Sequence, residues 1–166
     1  MPATMNELDF WSDDIQVDVL TPLMILRAQE PGLRRRTKGI LQAKLETVTT
    51  EKTTIHNLYL IAPALDNYKE KILTVEHKPN LVYPCSVSAE GLPDLGQPSQ
   101  LRASWRPSPP ESRTAASQTE FIEMVKWVLK SPSVRGAIDS LLAKSNETNI
   151  ENQTKLNPHP ANVAQE

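Results

Sequence analysis

Three groups of residues in this 166-residue chain are of the right types for chemistry. Asp66 and the triplet Glu76-His77-Lys78 offer two carboxylates and a lysine, the set that can hold Mg²⁺ and stabilise developing charge. His56 and His77 offer two imidazoles able to bind a metal or share a proton, with Cys85 as a further donor. Arg34, Arg35, Arg36 and Lys38, with Arg27 one or two turns earlier, form the strongest local cluster of positive charge. Such a cluster suits phosphates or an acidic partner surface.

Whether these groups meet depends on the elements that carry them. Leu41, Ala43 and Leu45 alternate with Gln42, Lys44 and Glu46, so the twofold period predicts a strand over residues 40–50. A second strand is expected over 55–62, rich in aliphatic and aromatic side chains and closed by Pro63. Asp66-Asn67 supply turn chemistry before a third strand over about 69–77, and Pro79-Asn80 before a fourth over 81–88. Pro84 lies inside that fourth run and argues for an edge position or a bulge. Connections this short favour an antiparallel meander.

Helices are expected on either side of the sheet in sequence. Thr21-Pro22 reads as an N-cap followed by proline at the first helical position. Pro31-Gly32 break or kink that helix, and Gly39 is a natural stop. Ser117 and Glu120 form a capping-box signature ahead of the stripe Phe121, Val125, Val128 and Leu129. Ser131-Pro132 restarts a helix whose Val134, Ile138, Leu141 and Leu142 share one face. Residues 91–116 hold five prolines among serines and arginines and read as a long loop.

The expected fold class is therefore α+β: an N-terminal helix, a four-stranded mainly antiparallel meander, and two C-terminal helices packed on one face. Residues 1–20 form an acidic, partly ordered leader, 21–145 a single domain, and 146–166 a disordered tail.

Set on these elements, Asp66 and Glu76-His77-Lys78 resemble the acid and E-x-K elements of the PD-(D/E)xK nucleases. The resemblance implies a metal-dependent nuclease using Asp66, Glu76 and Lys78. The strand reading opposes it, because Asp66 and Glu76 fall roughly 30 Å apart along an extended path. His56 and His77 lie on strands that can be neighbours, but a metal site needs more ligands. Cys85 shares a face with Leu81, Tyr83 and Val87, as a buried core thiol would. Cations at the end of a helix also favour its C-terminal dipole, which accounts for Arg34 to Lys38 without a ligand. Trp105, flanked by Arg102 and Arg106 in the Pro-rich loop, has the residue types of a partner-binding anchor. Trp11 in the leader either pins its segment or serves likewise.

Composition bounds the rest. The formal net charge of −2 gives no global field toward phosphate backbones or anionic lipid. A single cysteine forms no intrachain disulfide and no cysteine-based zinc site, so a reducing compartment, the cytoplasm, is expected. The acidic start differs from a secretory or transit signal, and two glycosylation sequons, at Asn146 and Asn152, lie in the polar tail. None of the five glycines sits in a phosphate-loop pattern. The function expected is a non-enzymatic adaptor, inhibitor-like module or assembly subunit without a cofactor. It presents a sheet edge and a loop to a protein partner or a second copy of itself. The alternatives are the nuclease and a nucleic-acid-binding protein using Arg34, Arg35, Arg36 and Lys38.

Overall fold

The computed structural model describes residues 18–89 and 111–156. Helices α1 (Pro22–Arg27) and α2 (Glu30–Arg36) precede strands β1 (Gln42–Thr49), β2 (Thr54–Ala62), β3 (Tyr68–Lys78), β4 (Leu81–Ala89) and β5 (Glu111–Ala115). Helices α3 (Gln118–Lys130) and α4 (Pro132–Leu156) follow. The strands pair antiparallel in the order β1-β2-β3-β4-β5, so α+β with a meander is the architecture observed.

The meander has five strands where four are expected. Glu111–Ala115 lies inside the stretch read as loop, yet it pairs with β4 from Cys85↔Ala115 to Ala89↔Glu111. Its polar sequence has little strand character of its own. The open side of β4 supplies the backbone partners that make it a strand. Pro84 consequently sits in an interior strand. The β3–β4 register is irregular between Glu76 and Lys78, opposite the stretch that contains Pro84, so the bulge reading holds and the edge reading does not.

The other four strands follow the alternation in the sequence. In β2, Thr54, His56, Leu58, Leu60 and Ala62 are buried while the residues between them are half-exposed. This is the pattern of an antiparallel sheet covered on one face. On that face Leu58, Leu60, Leu73, Val75, Cys85 and Val87 meet Phe121, Val125 and Val128 of α3, and Val134 and Leu141 of α4. Ile25 and Leu26 of α1 join the same cluster. Tyr83 donates its hydroxyl to the Leu20 carbonyl at 2.8 Å, which ties the end of the leader to the core. Burial pushes the Tyr83 phenol up to about 12.

Helix ends obey local rules. Thr21 Oγ1 accepts from the Met24 amide at 3.3 Å, with Pro22 at the first helical position. The expected break falls at Ala28-Gln29, and Pro31 then takes a place in the first turn of α2, where it costs no hydrogen bond. Ser131 Oγ accepts from the Val134 amide at 3.3 Å and starts α4. That helix runs to Leu156, so residues 146–156, expected within a disordered tail, are helical. Nothing between Asn146 and Leu156 breaks a helix, because the next proline is Pro158.

Two glycines give a matched prediction. Gly39 closes α2 with φ +82° and has open space where a Cβ would stand, so Gly39→Ala should cost about 1 kcal/mol from backbone conformation alone. Gly136 lies inside α4, also with open space, and Gly136→Ala should stabilise by about 0.5 to 1 kcal/mol. Urea midpoints of the two variants should move in opposite directions.

Candidate functional site

Both lateral edges of the sheet bear on function, because an unpaired strand edge accepts another strand. The β1 edge is covered over its first half, while Thr47, Val48 and Thr49 are exposed. Helix α2 lies alongside it, and Glu30 Oε1 accepts from the Leu45 amide at 2.8 Å, taking an edge donor out of play. At the opposite edge β5 has β4 as its only strand neighbour among the described residues.

The chain turns from β5 into α3 within two residues. Ser117 Oγ accepts from the Glu120 amide at 3.3 Å, and Glu120 Oε2 reaches back to accept from the Ala116 amide at 2.8 Å. The capping box read from the sequence is therefore present, its second bond falling one residue before the N-cap. This tight connection sets α3 beside β5. Phe121, Val125 and Val128 face the core, and the opposite side of the helix remains outside.

Between that outer side and β5 runs a groove of about 790 Å³, lined by Arg113 and Thr114 of β5 and by Met124, Trp127 and Lys130 of α3. Ser131 and Pro132 also line it. Trp127 is 38% exposed, a large apolar surface held open beside a strand edge. Glu123 also lines the groove and is paired with Lys126 at 2.7 Å, while Glu120 is engaged in the cap. Arg113 and Lys130 have no ion-pair partner among the described residues. The groove combines an apolar anchor point, backbone at an edge and a lining in which Arg113, Lys126 and Lys130 outnumber Glu120 and Glu123.

The residues singled out from the sequence are distributed as follows. Asp66 occupies a left-handed turn (φ 54°) just before β3, whereas Glu76 and Lys78 lie near that strand's far end and are exposed. The two carboxylates sit roughly 30 Å apart along the strand and do not converge. No group of three or more metal-ligating side chains occurs among the described residues. Arg34, Arg35, Arg36 and Lys38 are exposed at the C-terminal end of α2, where Arg36 Nη1 donates to the Gly32 carbonyl at 3.2 Å. Trp105, Arg102, Arg106 and Trp11 lie outside the described residues. Cys85 is buried in the apolar core, and burial pushes its thiol up to about 11, so the unreactive protonated form prevails.

His56 and His77 do meet. They project from neighbouring strands onto the covered face, with Nε2 to Nε2 at 3.0 Å and ring centroids 5.1 Å apart. His77 Nδ1 lies 2.8 Å from the Lys78 carbonyl, which can only accept, so that nitrogen carries a proton. The neutral ring then offers a lone pair at Nε2, which accepts from His56 Nε2–H. The Thr47 hydroxyl completes the chain by donating to His56 Nδ1 at 2.8 Å. Burial and the neighbouring His77 lower the His56 pKa to about 4.

Sequence reasoning placed the two histidines on adjacent strands but missed the groove. Trp127 stands off the apolar stripe of α3, and a tryptophan on the outward side of an amphipathic helix was the signal available. The chain matches no protein-family model, no curated protein and no solved structure. No helix among the described residues is long and apolar enough to cross a membrane.

Proposed function

We propose that this protein is a non-enzymatic interaction module that takes up an extended, acidic peptide segment of a protein partner beside β5. The incoming strand bonds to the β5 backbone, an apolar side chain packs on Trp127 and Met124, and a carboxylate pairs with Arg113 or Lys130. The observation that carries this reading is the exposed Trp127 in a groove flanked by a strand edge. Backbone pairing supplies affinity in this mode, and side-chain pockets supply selectivity. Tryptophan and arginine dominate interface energetics when they become buried.

Self-association through the same edge is disfavoured by charge. Antiparallel pairing of two β5 strands about their centres sets Arg113 against its symmetry mate, and like charges directly opposite are destabilising. A different chain of acidic character fits better. The nuclease alternative has its carboxylates at opposite ends of β3, and the cluster Arg34 to Lys38 has a sufficient explanation in the helix end that carries it.

Selection of a displayed random-peptide library on the protein tests the proposal. Enriched peptides should alternate apolar residues and carry acidic ones. Trp127→Ala should weaken their binding at least about tenfold by fluorescence anisotropy, as truncation of an interface anchor does. The charge reversal Lys130→Glu should weaken it further for the acidic peptides. An absence of enrichment, or peptides that bind Trp127→Ala as well as the natural chain, would refute the reading.

A further inference from the structure

We propose that the His56–His77 pair is a binding site for a divalent transition-metal ion of the Zn²⁺ class, with the two Nε2 atoms as its protein ligands. The proposal is independent of the groove.

The geometry of the pair matches what a metal requires. With metal–nitrogen bonds of about 2.0 to 2.1 Å, two imidazoles on a tetrahedral ion sit about 3.3 Å apart, nitrogen to nitrogen. The observed Nε2 separation of 3.0 Å is a hydrogen bond in the metal-free chain, and it has to open by only a few tenths of an ångström to reach that bite. A linear two-coordinate ion would need about 3.8 to 4.0 Å by the same bond lengths, a much larger opening. The strands fix this spacing. Thr54 pairs with His77 and His56 with Val75, so the two rings are diagonal neighbours on one face of a hydrogen-bonded ladder.

The far side of each ring is held as a metal ligand's usually is. Ligating histidines almost always donate the other ring N–H to a carbonyl, carboxylate or water, which fixes the tautomer and aims the lone pair. His77 already does so through Nδ1–H to the Lys78 carbonyl at 2.8 Å. His56 has Thr47 Oγ1 in the equivalent place at 2.8 Å. That hydroxyl can turn from donor to acceptor, so His56 can move its proton from Nε2 to Nδ1 and present a second lone pair. In that tautomer the two lone pairs face each other and a cation can sit between them.

Access and stoichiometry follow from burial. His56 is 2% exposed and His77 is half-buried, so an ion enters from the His77 side. No third histidine, cysteine or carboxylate joins the pair among the described residues. The further ligands that such a site needs are then water or a donor from a bound molecule, and one ion per chain is expected.

The test is calorimetric titration of the tag-free full chain with Zn²⁺ near neutral pH, with folding of every variant checked by circular dichroism. One Zn²⁺ should bind per chain. His77→Gln should abolish that binding, and Thr47→Val, at an exposed strand position, should weaken it about tenfold as loss of an outer partner does. His159→Ala, which alters the remaining histidine of the chain, should leave it unchanged. No saturable binding, or binding that survives His77→Gln undiminished, would overturn the assignment.

Discussion

Phe121→Ala will destabilise the protein by about 3 to 5 kcal/mol, the usual cost of emptying a fully buried aromatic site. Phe121 has no exposed surface and is the largest fully buried side chain among the described residues. It stands in the first turn of α3, with its ring 6.2 Å from that of Tyr83 on β4, so it joins the helix to the sheet at the point where the chain leaves β5. A loss of this size is a large part of the roughly 5 to 15 kcal/mol that holds a domain together. Urea denaturation followed by circular dichroism measures it. Trp127→Ala, six residues on and 38% exposed, should shift the same midpoint less than Phe121→Ala does, because only part of its side chain is buried.

The second large effect is on pH dependence. His56 is buried in neutral form, and its pKa falls from the ordinary 6.5 to about 4, through burial first and the neighbouring His77 second. Between these two values the unfolded chain binds a proton that the folded chain refuses, so stability rises with pH across this window. The contribution is complete above pH 6.5 and is lost as the pH falls toward 4. At about 1.4 kcal/mol per pH unit the whole loss is about 3 kcal/mol. Denaturation curves at steps between pH 7.5 and 5 should show most of this decline before the majority of carboxylates titrate. A flat profile over that range would mean that His56 is more accessible to protons than its surroundings imply.

What the sequence revealed of this fold, and what it concealed, has a physical division. Strands β1 to β4 announce themselves through residues such as Ala43 and Leu45, because a half-buried strand must alternate apolar and polar side chains. The caps at Thr21, Ser117 and Ser131 are equally legible, since a hydroxyl satisfies an amide that the helix itself cannot. Strand β5 was hidden. Its five residues hold no alternation of large apolar side chains, and only the pairing with β4 makes them extended. The last turns of α4 were hidden for a related reason, as residues 146–156 lack an apolar stripe and, with three Asn and two Thr, have weak helix propensity of their own; they continue a helix begun at Pro132.

The candidate sites divide in the same way. Two histidines on successive strands put imidazoles on one face by parity, but their 3.0 Å approach depends on the register between β2 and β3. The groove needed β5 to exist before it could be seen, so no reading that treated 91–116 as loop could have located it. Trp127 was visible only as a large apolar residue out of phase with Phe121, Val125 and Val128.

Above all, we propose that the groove between β5 and α3 receives an extended acidic peptide. Amide and indole NMR spectra of the ¹⁵N-labelled chain, recorded while a library-selected acidic peptide is added, test it directly. The claim predicts saturable shifts at Arg113, Thr114 and the Trp127 indole, with little change at Arg34 to Lys38. Shifts centred on α2, or none at β5 and Trp127 when the peptide is in excess, would contradict it.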